Sequence, residues 1–189
     1  MQLTEKIWHG AAYYPELWDQ KTILRDIAIM KDLGINVVRM GEFSWSLLEP
    51  RQDEFNIGLF DDVIDLLAKS GIATIMCTPT ATPPRWFTAT YPDSLNVDRN
   101  MVRAHHGSRE HVCFNSPDYI ARTKIIVEKL GEHYGKNPNI IAWQLHNEYN
   151  CPPVNECVCD NCKRAWQTWL REKYGDVEVM DEKWNAGVW

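Results

Sequence analysis

Short, continuously apolar runs alternate with helical patterns along this chain, and that alternation limits the available folds more than any other feature. A β-type run covers Ile7 to Tyr14. A helical pattern follows from about Asp19 to Leu33, with Asp19 as cap, Ile23, Ile27 and Met30 on one face and Gly34 at the end. Ile35-Asn36-Val37-Val38-Arg39-Met40 reads as a strand, and Phe60, Val63, Ile64 and Leu67 mark a helix that stops at Gly71. Ile72 to Cys77 reads as a third strand. Ser116, Pro117 and Gly135 then frame a helix over 117–134. Ile140 to Leu145 is a fourth strand, and Trp166, Trp169 and Leu170 mark a helix to about Tyr174. Strands that are apolar throughout, without alternation, are buried on both faces, as parallel strands are. The order β-α-β-α-β-α-β-α therefore predicts an α/β fold with a parallel sheet and outer helices. Two architectures satisfy it: an open doubly wound sheet, or the first half of a (β/α)8 TIM barrel. No G-x-G-x-x-G follows the first strand and no G-x-x-x-x-G-K-[ST] occurs, which removes most support for nucleotide binding.

The charge balance narrows the function classes. Lys plus Arg is 20 against 26 Asp plus Glu, a net charge of −6, whereas phosphate binding needs clustered positive charge; no nucleic-acid partner is expected. The apolar runs are too short to span a bilayer, and the N-terminus lacks the apolar core of a signal peptide, so the reading is a cytoplasmic chain without a membrane partner. Nine Trp offer flat apolar faces that suit sugar rings, and they suit a large core equally well.

The chemistry gathers at the C-terminal ends of strands, where α/β folds place ligands. The connection from Thr78 to Ser116 is far longer than ordinary loops and carries Arg109, His105, His106 and His111. Arg109 can offer a bidentate fork to sugar hydroxyls or a carboxylate, or simply anchor the loop. Trp143-Gln144-Leu145-His146-Asn147-Glu148-Tyr149 runs a strand straight into an Asn-Glu pair. Beside a Trp at the edge of an apolar strand, burial would favour the protonated acid that general-acid catalysis needs. The plain alternative is a Glu that caps a loop or pairs with an Arg. Glu42, after the second strand, suits an orienting role. Cys157-x-Cys159-x-x-Cys162 can fold around one metal ion, with Cys113 the best fourth ligand and Cys151 its competitor. Four thiolates leave no open position, so such a metal is structural; a disulfide or a chance cluster is the alternative. Cys77 reads as a core thiol.

Taken together, these motifs resemble glycoside hydrolase family 42, the bacterial β-galactosidases. The similarity runs through Tyr13-Tyr14-Pro15-Glu16, Asn36 to Trp45, Glu49-Pro50, Thr78 to Trp86, Gly107-Ser108-Arg109 with His111 and Cys113, Asn115-Ser116-Pro117, Trp143 to Tyr149, the Cys triplet and Trp184 to Trp189. The resemblance implies a (β/α)8 barrel and retaining release of terminal β-D-galactose, with Glu148 as general acid/base and Arg109 and Asn147 as galactose-binding residues. It further implies a structural zinc on Cys113, Cys157, Cys159 and Cys162, and a homotrimer as one assembly open to the full-length protein. Family members run to several hundred residues, so 1–189 is expected to be the N-terminal portion of the catalytic domain, with a zinc-binding segment at about 151–162. A retaining mechanism needs a second carboxylate about 5 Å from the first. The family carries that residue at the end of strand seven, outside this sequence, so the 189 residues alone are expected to be inactive. Other retaining glycosidases of the same barrel type, α-L-arabinopyranosidases among them, and a zinc-stabilised sugar-binding piece without catalysis are the competing readings.

Overall fold

A computed structural model describes residues 6–107, 109–149 and 156–187. Four strands form one sheet: β1 (Gly10–Ala12), β2 (Val37–Met40), β3 (Ala73–Cys77) and β4 (Ile140–Gln144). Their spatial order is β1-β2-β3-β4, and every pairing is parallel. This order decides between the two architectures. A doubly wound sheet reverses its strand order at a switch point, whereas a barrel adds each strand beside the last.

The helices stand where capping chemistry puts them. In α1 (Gln20–Asp32) the Asp19 side chain accepts from the Thr22 amide at 2.8 Å. The helix α3 (Asp61–Lys69) buries Val63, Ile64 and Leu67. In α5 (Pro117–Tyr134) the Ser116 hydroxyl caps the Tyr119 amide, and Pro occupies the first turn. Their apolar faces meet the sheet in one core, with Met40, Trp45, Phe60, Ile64, Leu67, Met76, Phe87, Ile126 and Leu130 at 1% exposure or less.

Several expectations change. The run from Ile7 to Tyr14 contains only the three-residue β1, and β1 is exposed while β4 is half buried. Burial on both faces belongs to β2 and β3, because β1 and β4 each have one neighbour among the described strands. The 78–116 connection, which its prolines, Trp86, Phe87 and Tyr91 already mark as packed, is folded as expected. It contains α4 (Arg85–Thr90) and isolated antiparallel bridges Leu95–Val112 and Val97–Arg103, and it buries Phe87, Leu95, Val97 and Val112. Two further helices carry no reading from the sequence: the short α2 (Trp45–Leu48), and α7 (Val177–Trp184), capped by Asp176. Between them in the chain, α6 (Asp160–Tyr174) buries none of its residues, and its Trp166 and Trp169 stack on each other at 5.0 Å. No helix is long and apolar enough to cross a membrane among the described residues.

Candidate active site

The ends of β1, β2 and β4 are joined by one hydrogen-bonded chain. Gly41, at φ +93°, turns the backbone out of β2 in a conformation that side chains resist, and Glu42 follows fully buried. Glu42 Oε1 accepts from the Tyr14 hydroxyl at 2.9 Å and pairs with Arg39 Nη2 at 2.9 Å. Arg39 Nη1 donates to Gln144 Oε1, and Gln144 Nε2 donates to the His146 carbonyl at 2.9 Å and to Asn147 Oδ1 at 3.3 Å. Glu42, expected to have an orienting role, stands in a path of contacts from Tyr14 to Asn147. Since Asn147 Oδ1 is the accepting atom, Nδ2 is the donor left over. It is buried without a hydrogen-bond partner among the described residues, which is costly unless a ligand completes it.

Beside Asn147 opens a cleft of about 450 Å³ whose walls include Tyr14, Phe43, Arg109 and Glu148. Glu148 Oε2 meets Arg109 Nη2 at 2.9 Å, and the Arg109 guanidinium lies 5.8 Å from the Phe43 ring centre. Among the described residues, the expected apolar surroundings for Glu148 are not present. Trp143 packs against the main core, and the Glu148 side chain is 51% exposed and ion-paired. An exposed pair of this kind adds about 0–1 kcal/mol to stability, so its importance here is where it holds the carboxylate. The backbone is strained at the same place: His146 and Glu148 have φ +61° and +48°, left-handed values for residues with side chains. Such conformations cost about 1–3 kcal/mol each and persist where surrounding bonds over-determine them.

A second group lies further along the same loops. The sulfurs of Cys113, Cys157, Cys159 and Cys162 lie within 4.8 Å of one another, and Cys113 is 3.4 Å from both Cys159 and Cys162. Thiolates about 2.3 Å from a zinc ion form a tetrahedron with edges of about 3.8 Å, so the four sulfurs fit that ion. The Val97 amide donates to Cys157 at 3.4 Å and Asn115 Nδ2 to Cys162 at 3.3 Å, contacts that favour thiolates. The contact between Cys113 and Cys157 pushes the Cys113 thiol up and holds the Cys157 thiol well below its ordinary value. All four cysteines are free in this structure. Cys151, the competing fourth ligand, lies outside the described residues, as does Ser108. Cys77 is a buried core thiol as expected, pushed up to about 12 by burial. His105, His106 and His111 are not in the group.

The structure thus brings Arg109, Asn147 and Glu148 to one cleft and the four cysteines to one point. Sequence reasoning passed over the supports: Tyr14 and Gln144 on one side, Thr80, Glu110 and His146 on the other. The period-two spacing of Thr78 and Thr80 at the end of β3 was the available signal for the second set.

A parallel sheet in chain order, with an Asn-Glu pair, an arginine and aromatic walls at its C-terminal end, is the layout of a (β/α)8 glycoside hydrolase. The chain belongs to glycoside hydrolase family 42: the family model, described as beta-galactosidase, matches residues 12–189. It is similar to Beta-galactosidase YesZ of Bacillus subtilis, at 46% identity over 97% of this chain and 28% of that protein. It is similar also to Beta-galactosidase LacZ of Heyndrickxia coagulans, at 41% over 98% and 28%. Among solved structures, the β-galactosidase from Marinomonas ef1 superposes with a TM-score of 0.93 at 36% identity, over 97% of this chain and 28% of that one. That from Halorubrum lacusprofundi gives 0.92 at 40%, over 97% and 27%. The chain spans about 28% of the length of the curated relatives it matches. The fold is that of the first four strands of their barrel.

Proposed function

We propose that these residues form the leaving-group side of a retaining β-galactosidase, with Glu148 as general acid/base. The observation that carries this reading is the Asn147-Glu148 pair at the end of β4, its carboxylate held 2.9 Å from Arg109 and its amide Nδ2 buried without a partner among the described residues. Asn147 Nδ2 donates to a hydroxyl of the galactose ring, and the Arg109 fork meets sugar oxygens on the same side. Glu148 transfers its proton to the glycosidic oxygen as the bond to the anomeric carbon breaks. A carboxylate outside these residues attacks that carbon from the opposite face and forms a galactosyl ester. Glu148, now ionised, takes a proton from the water that cleaves the ester. Glu42 is not that nucleophile, because it is fully buried and engaged by Tyr14 and Arg39.

Cys113, Cys157, Cys159 and Cys162 would hold a structural zinc. It would supply a cross-link and take no part in the hydrolysis, since four thiolates fill its coordination.

The test is Glu148→Gln in the full-length enzyme. Turnover of galactosides with poor leaving groups, such as lactose, should fall about 10²- to 10⁴-fold, and that of galactosides with an acidic phenol far less. Unchanged hydrolysis of lactose would overturn the assignment.

A further inference from the structure

We infer that the buried Glu110–His146 pair is a positioning device for Glu148: it locks the loop that carries Arg109 to the turn that carries Asn147 and Glu148. The inference rests on the general-acid reading of Glu148 and adds to it the groups that fix the acid's direction.

The two side chains come from different loops, 36 positions apart, and meet at 3.1 Å between Glu110 Oε2 and His146 Nε2. Their side chains are 4% and 5% exposed. The other ring nitrogen, Nδ1, lies 2.7 Å from the Thr80 hydroxyl. With Glu110 accepting from Nε2–H, Nδ1 accepts from Thr80, so both sides of the ring are engaged. The faces are closed as well. Tyr149 packs 4.5 Å from the ring centre, and Phe114 meets it edge-on at 5.2 Å. The imidazole therefore has one orientation, and the His146 backbone is held with it, its amide donating to Thr78 Oγ1 at 2.7 Å.

This locked residue is where the chain turns left-handed, and Glu148 turns left-handed two residues later. A left-handed backbone reverts where its neighbours allow. The bonds that prevent reversion here are those of His146. Glu110 is itself left-handed, at φ +60°, with its amide on the Ala81 carbonyl at 3.0 Å, and it directly follows Arg109. One contact thus sets both partners of the Arg109–Glu148 pair. Glu110 does not line the sugar cleft, so it acts through His146 and not on substrate. A buried carboxylate that accepts from a neutral imidazole is a poor way to stabilise a core compared with apolar packing, which favours a geometric purpose.

The experiment compares variants of the full-length enzyme on two galactosides, one with an alkyl or sugar leaving group and one with an acidic phenol. Glu110→Ala should lower kcat on the first by about 10- to 100-fold and on the second by no more than a few-fold, with KM little changed, because a displaced acid matters only where a proton is needed. Glu110→Gln should recover most of the loss, since its amide oxygen still accepts from Nε2–H. Thr80→Val keeps the core shape, removes the Nδ1 partner and should move kcat in the same selective way; it decides the matter if Glu110→Ala does not fold. Equal losses on both substrates, or losses in KM alone, would overturn the inference. Glu148→Gln run alongside separates the two levels. A selective loss there without one in Glu110→Ala or Thr80→Val defeats the positioning role alone. An unselective Glu148→Gln defeats the acid assignment and the inference with it.

Discussion

Arg122 sits at 7% side-chain exposure between two carboxylates, Glu49 and Asp53. Glu49 is fully buried, and its oxygens also take the Trp45 indole N–H at 2.9 Å and the Asp53 amide at 3.0 Å. The guanidinium lies 5.2 Å from the Trp86 ring centre, so its removal costs packing as well as charge. Arg122→Ala would strand a buried carboxylate and should lower the unfolding free energy by about 3–5 kcal/mol, read from urea denaturation. A loss below about 1 kcal/mol would mean that water reaches Glu49 in the variant. This residue also shows what a sequence withholds. Glu49 and Arg122 are 73 positions apart, and nothing local to either announces a partner. Asn147 and Glu148 were legible because the strand and the pair it delivers are continuous in the chain. Glu110 and His146 were not, because their meeting depends on a long connection folding back.

At the scale of the element, legibility follows the caps. Asp19 and Ser116 each bond an amide three residues on, so the starts of α1 and α5 are written within a few positions. Gly34 and Gly135 end them as locally. Ser116→Ala should therefore cost α5 about 1 kcal/mol, seen as a lower urea midpoint with an unchanged slope. An unchanged midpoint would show the 3.4 Å cap bond to be idle. Other elements were hidden for physical reasons. α4 is six residues long and sits among prolines, so its periodicity never completes two turns. β1 and β4 read as apolar strands, yet their burial depends on what lies beside them, which a single run cannot specify.

At the scale of the whole molecule, alternation predicts a parallel sheet and leaves the strand order open. Order is a long-range property: β3 meets β4 across more than 60 residues, with Met76 beside Trp143 and Cys77 beside Gln144. That register brings Thr78 and Thr80 alongside His146, and so the site depends on the sheet being correctly set. The thiolate group is the other long-range constraint. Protein purified without chelator should contain about one zinc per chain by elemental analysis, and Cys159→Ser should lose the metal and melt at a lower temperature. Metal-free protein of full thermal stability would count against the assignment.

Cys113 and Cys162 stand 49 positions apart in the chain, with α5 and β4 between them. Joined through zinc as proposed, they turn that stretch into a closed ring. By the relation used for disulfides, a ring of about 50 residues deprives the unfolded chain of enough freedom to favour the native state by about 4 kcal/mol. Unlike a disulfide, this ring would not open to a thiol reductant, but it would open to a chelator or to acid that protonates the sulfurs. The half of the site built on the 78–116 excursion and the half built on β4 would then be free to separate, so metal supply would govern how long the arrangement lasts, although the metal itself would take no part in the hydrolysis.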